Sequence, residues 1–152
     1  DDCSQLQVLD FRGNHMGDSG VQALVQALVP GCKHSAGDDK SRVATSSGAW
    51  SLPHVHHLVL SWNSLTDDSV KALLPLLFET SYEDSHDGET KVSSGLKCLD
   101  LSCNPGLTNV ALNQHLASAL CVRKQRAWGV QSSLQHLVLF SCRQITRLSK
   151  NL

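Results

Sequence analysis

The chain has 152 residues, 41% of them hydrophobic and 18% charged, which is enough apolar content for one domain with its own core. The formal net charge is −1, and no apolar run approaches the roughly 18 residues a membrane helix needs. A helix across a membrane and a uniformly basic nucleic-acid binder are both excluded on these grounds.

The small net charge conceals a split. Residues 1–90 carry 13 acidic and 5 basic side chains, a net of −8, whereas residues 91–152 carry 8 basic ones and only Asp100 as an acid, a net of +7. Such asymmetry suits a protein that sits between unlike neighbours or stacks head to tail, although charge runs also simply face water. The basic half has no nucleic-acid motif and no aromatic stacking pattern, so the expected partner is protein. Cys3, Cys32, Cys98, Cys103, Cys121 and Cys142 form no C-x-x-C pair. That usage fits a reducing compartment, and a cytoplasmic location, at the cytoskeleton or a cilium, is the expectation. There is no signal peptide, and a chain beginning at Asp1 points to a processed or truncated start.

In chain order, the first predicted element is a strand near residues 6–11, within the phrase Leu6-Gln7-Val8-Leu9-Asp10-Phe11-Arg12-Gly13-Asn14. Leucines on alternate positions share one strand face. Val21, Leu24 and Leu28 follow at the spacing of one helix face. An insertion of about Val29 to His54, rich in Gly, Ser, Lys and Asp, carries Trp50. The phrase returns at Val55-His56-His57-Leu58-Val59-Leu60-Ser61-Trp62-Asn63, a strand near 55–60, with a helix stripe of Val70, Leu73, Leu74 and Leu77. A second insertion, about Phe78 to Gly95, is acidic. The third phrase, Leu96 to Asn104 with a strand near 96–101, is followed by an extra residue at Pro105-Gly106 and the stripe Leu112, Leu116 and Leu120. A basic insertion of about Cys121 to Ser133 holds Trp128. The fourth phrase, Leu134 to Cys142 with a strand near 134–139, puts Cys in the Asn place.

Each unit is thus a strand, a turn and a helix, and a single unit cannot bury its own inner face. The Asn closing each phrase has a physical task. Its carboxamide offers donors and an acceptor to the unpaired backbone groups of the turn, so Asn14, Asn63 and Asn104 should form a ladder that Cys142 weakens.

Asn14-His15-Met16 through Gly20 and Leu28, and Asn63-Ser64-Leu65 through Leu77, resemble the ribonuclease-inhibitor-type leucine-rich repeat. Cys142, Ile145 and Thr146 resemble its cysteine-containing variant. The resemblance implies an α/β solenoid, a horseshoe with an inner parallel sheet and outer helices, here one domain of about four units. The first and last units lack polar caps, so the expectation is a fragment of a longer solenoid, or ends covered by neighbours. The resemblance also implies a binding scaffold without shared catalytic residues, so neither enzymatic activity nor a cofactor is expected. Phrase starts lie 49, 41 and 38 residues apart, well beyond the usual repeat of about 20–29. The long insertions are therefore where this chain departs from a plain repeat. Their composition is that of polar decoration, but Trp50 and Trp128 are costly to expose and mark contacts.

The same architecture places three rows on the concave face: Val8, His57, Cys98 and His136; then Asp10, Val59, Asp100 and Val138; then Arg12, Ser61, Ser102 and Phe140, beside Trp62 and Cys103. Apolar side chains exposed among charges read as a protein-binding patch. The expected partner-binding residues are Val8, Asp10, Arg12, His57, Val59, Trp62, Asp100, His136, Val138 and Phe140, with Trp50 and Trp128 from the insertions. Proteins with similar repeats include inhibitors, signalling sensors and structural subunits of ciliary and cytoskeletal complexes. The expectation is a non-enzymatic scaffold, a structural subunit of a multi-subunit eukaryotic assembly. One alternative is a regulator of a small GTPase acting through Arg12, or a signalling sensor. Another is a metal site at His57, Cys98 and His136, for which a flat row is a poor tetrahedron.

Overall fold

The computed structural model describes residues 6–29, 54–78, 80–83, 90–93, 95–119 and 132–146. Its central feature is a four-stranded parallel sheet made of β1 (Val8–Asp10), β2 (His57–Val59), β5 (Cys98–Asp100) and β6 (His136–Val138), in that order. Leu9, Leu58, Leu99 and Leu137 stand directly opposite one another across it. The leucine of each phrase therefore sets the register, because a slip of one residue would turn the apolar set out to the solvent face. Only three residues per unit pair as regular strand, fewer than the six expected, yet backbone bonds continue the pairing on both sides. Phe11 and Gly13 N–H donate to Val59 and Ser61 O, and Trp62 N–H donates to Ser102 O.

Helices cover one side of the sheet. α1 (Gly17–Leu28) packs beside α2 (Asp67–Leu73), which packs beside α3, a π-helix over Ala111–Leu116. α1 buries Val21 and Val25, with Leu24 and Leu28 half-buried, so its inward stripe includes one valine the leucine spacing missed. α2 ends one turn early, and Leu74–Leu77 wind as a 3-10 turn instead. Pro75 is the cause, since it has no N–H to donate back to Lys71 O; Leu74 N–H takes that carbonyl. Val70, Leu73 and Leu77 nevertheless reach the core as their spacing requires. The core is one cluster of strand leucines and helix residues, including Leu58, Leu60, Leu99, Leu101, Leu112 and Leu116. Leu9, Phe11, Leu137 and Leu139, at the two outer strands, pack against it and remain half-buried.

Two ladders tie the units along the edge where strands turn into helices. The first is the asparagine ladder. Asn63 Oδ1 accepts the N–H groups of Asn14 and Met16 at 3.2 and 3.0 Å, and Asn104 Oδ1 accepts those of Asn63 and Leu65 at 2.9 and 3.1 Å. Asn104 Nδ2 donates to Leu60, Leu101 and Ser102 O. Both side chains are fully buried, so each satisfied group avoids a desolvation penalty. Cys142 keeps part of the pattern, its Sγ lying 3.3 Å from Leu101 O as a weak donor. The second ladder has no counterpart in the sequence reading. Asp18 accepts from Thr66 N–H, Thr66 Oγ1 and Ser69 Oγ, and Asp67 accepts from Thr108 N–H and Oγ1 at 2.8 and 2.6 Å. Asn109 Oδ1 accepts Thr146 N–H, while its Nδ2 donates to Thr146 Oγ1. The hydroxyl changes from donor to acceptor where the acid becomes an amide.

The extra residue at Pro105-Gly106 is accommodated by close approach. Gly106 pairs with Thr66, and a Cβ there would lie 2.7 Å from Leu65 O. Within the second insertion, β3 (Thr80–Glu83) and β4 (Thr90–Ser93) form an antiparallel ribbon. That ribbon is ordered backbone where composition alone suggested decoration. Phe78, just before it, is buried and bridges Ser132 at the entry to the fourth unit.

Candidate functional site

Among the described residues nothing covers the face of the sheet opposite the helices, and the strand register assembles the expected rows on it. Val8, His57, Cys98 and His136 are aligned in one row, and Asp10, Val59, Asp100 and Val138 in the next. Neighbours in a row lie about 4.8 Å apart. Val8, Asp10, His57, His136 and Val138 are exposed; Val59, Cys98 and Asp100 are half-buried.

The third row does not form as drawn from the sequence. Ser61 and Ser102 are only 4% and 7% exposed, because the chain already rolls into the turn at these positions. Ser102 Oγ accepts the Phe140 N–H at 3.1 Å, which makes it part of the scaffold. Arg12 and Phe140, by contrast, stand out from the turn, Phe140 with 77% of its surface exposed.

The residue before each ladder position has positive φ: Gly13 at 73°, Trp62 at 60°, Cys103 at 57° and Ser141 at 61°. The first unit uses the residue type that adopts this conformation freely. The second unit uses tryptophan at a cost of about 1 kcal/mol, and leaves 62% of it exposed. Two large aromatics, Trp62 and Phe140, thus project beside the rows. Trp50 and Trp128 lie outside the described residues.

Asp10 and Asp100 share a local geometry that the sequence reading missed. Each accepts the N–H of the residue two positions on, Arg12 to Asp10 Oδ1 at 3.0 Å and Ser102 to Asp100 Oδ1 at 2.8 Å. In the first unit the Arg12 guanidinium also reaches Asp10 Oδ2 at 3.1 Å. The signal was present as Asp-x-Arg against Asp-x-Ser at the same phrase position.

Titration behaviour follows burial. His56 beside the first row is held below its ordinary pKa by burial, then by the charges of Lys97, His54 and His57. Burial pushes the Cys142 thiol up, outweighing the N–H groups of Asn104 and Cys103, which favour its thiolate. Cys98, Cys103 and Cys142 are free thiols. His57, Cys98 and His136 share a row, but among the described residues no three His, Cys, Asp or Glu side chains are grouped to hold a metal. No described helix is long and apolar enough to cross a membrane.

A family model described as leucine-rich repeat matches residues 2–25 and 51–74, which span the first two phrases and most of their helices. A search of curated proteins gave no match to this chain. The third and fourth phrases add strands to the same sheet in the same register and extend both ladders. Repetition of sequence, of strand and of turn chemistry agrees with the family match: the chain carries leucine-rich repeats, and they are similar to those of the ribonuclease-inhibitor type.

Proposed function

We propose that this chain is a non-enzymatic interaction scaffold, a structural subunit of a larger eukaryotic assembly, and that it binds protein on the concave face of a leucine-rich-repeat solenoid. Leucine-rich repeats generally mediate protein–protein interaction and are typically not enzymes. The observation that carries the reading is the set of exposed apolar side chains on the open face. Val8 is 52% exposed, and Val138, Trp62 and Phe140 stand exposed with it. Large apolar groups held out among charged ones mark a contact surface. The long spacing between units and the division of charge between the two halves of the chain favour a subunit with neighbours over a free-standing inhibitor. Free thiols at Cys98, Cys103 and Cys142 suit a cytoplasmic setting, at the cytoskeleton or a cilium.

The test places a photo-reactive amino acid either at Val59, on the open face, or at Gln22, exposed on α1. Crosslinking in a native eukaryotic extract should capture a discrete protein partner from Val59 and not from Gln22. Capture from Gln22 alone would move the binding surface to the helices and end the concave-face reading.

A further inference from the structure

We propose that the open face receives an arginine side chain of the partner protein, its guanidinium paired with Asp100 and its stem lying along Val59 and Val138. This deepens the concave-face reading and rests on it. Two equivalent carboxylates stand on this face. Asp10 and Asp100 occupy the same row, separated by Val59. Both are oriented by the same turn, in which Oδ1 accepts the N–H of the residue two positions on.

In the first unit that residue is Arg12, and its guanidinium also meets Oδ2 at 3.1 Å. In the third unit it is Ser102, which is buried and whose hydroxyl accepts the Phe140 N–H. Asp100 Oδ2 has no hydrogen bond or ion pair among the described residues, where Arg12–Asp10 is the ion pair present. Among the described residues the first carboxylate has its own cation and the second has none, which leaves it open to one from outside.

The surroundings select the kind of cation. Asp100 is half-buried between Val59 and Val138, each about 4.8 Å away along the row. An aliphatic stem can lie over these valines while its charged end reaches the carboxylate. Phe140 occupies the position on β6's strand exit that Arg12 occupies in the first unit, and it is exposed. A planar guanidinium pairs with a carboxylate and stacks on an aromatic face, which an ammonium does less well. Partial burial of the carboxylate makes such a pair worth more than one at an open surface.

The experiment titrates the capped tripeptide acetyl-Val-Arg-Val-amide, to millimolar concentration, into the nitrogen-15-labelled chain. The amide of Ser102, which is bonded to Asp100, and the indole N–H of Trp62 report binding. Saturable shifts at both are expected. Affinity should fall at least fivefold in Asp100→Asn, whose side-chain oxygen still accepts the Ser102 N–H, and with citrulline replacing arginine. Asp68→Asn, at an exposed carboxylate on α2 and away from the open face, should leave it unchanged. Dispersed spectra of each variant verify folding. Equal affinity for Asp100→Asn or for the citrulline peptide, or no shift at Ser102, overturns the proposal. Capture of a partner from Val59 with no arginine response rejects the arginine and keeps the binding face. No capture from Val59 rejects the face itself.

Discussion

The turn edge and the open face of the sheet treat their polar and apolar groups in opposite ways. At the edge, Asn63 and Asn104 are fully buried and their side-chain oxygens and nitrogens find partners within the chain. On the open face, valines and aromatics stand exposed, and among the described residues Asp100 uses one oxygen. Polar groups buried and satisfied hold the units together; among the described residues, the exposed apolar groups and the second oxygen of Asp100 have no such partner. The difference separates the residues that make the repeat from those that use it, and substitutions on the two sides should have effects of different kinds.

The largest stability loss is expected at the edge. Asn104→Ala removes the acceptor for two N–H groups and the donor to three carbonyls in a fully buried place. Urea unfolding should report a loss of about 3–5 kcal/mol. Asn14→Ala, at an exposed position, should lose about 1 kcal/mol or less. Similar losses at both would mean that the buried ladder is not what fastens the units.

Next comes the core beneath the sheet. Leu99→Ala should cost about 2–5 kcal/mol by leaving a cavity between the central strands. Leu137→Ala, half-buried on the outer strand, should cost less in the same assay.

Asp18 gives a smaller, pH-dependent effect. Burial raises its pKa, but the side-chain and backbone hydrogen bonds from Ser69 and Thr66 hold the carboxyl below its ordinary value. A carboxyl lowered in the folded state adds stability above its unfolded pKa, and that addition is lost as pH falls through the folded one. Asp18→Ala should lose about 1–2 kcal/mol at pH 6. The gap from the unsubstituted chain should narrow below about pH 4. A gap that widens on acidification would reverse the sign and remove the clamp from the account.

The register of the sheet was legible in the sequence almost residue for residue, because the core tolerates leucine on one strand face and a one-residue slip would expose it. The asparagine ladder was legible for the same kind of reason, since only a carboxamide answers both donors and acceptors at the turn. Ser61 and Ser102 were misplaced because alternation was extended past the point where the strand has begun to turn. The Asp–Thr ladder went unseen, as short polar residues at a helix start look like ordinary caps until the neighbouring unit is set beside them. Among the candidate site residues, the rows were readable from spacing, whereas the division between Asp10, paired inside the chain, and Asp100 was not. That division depends on what lies two residues further on and on which way it points.

The smallest stability effect carries the main claim. Phe140→Ser on the open face should change the unfolding free energy by about 0.5 kcal/mol or less. On the same purified variant, affinity for the partner captured through Val59 should fall at least tenfold. A variant that loses stability but keeps full affinity would contradict the account, because Phe140 would then belong to the scaffold and not to the surface that binds.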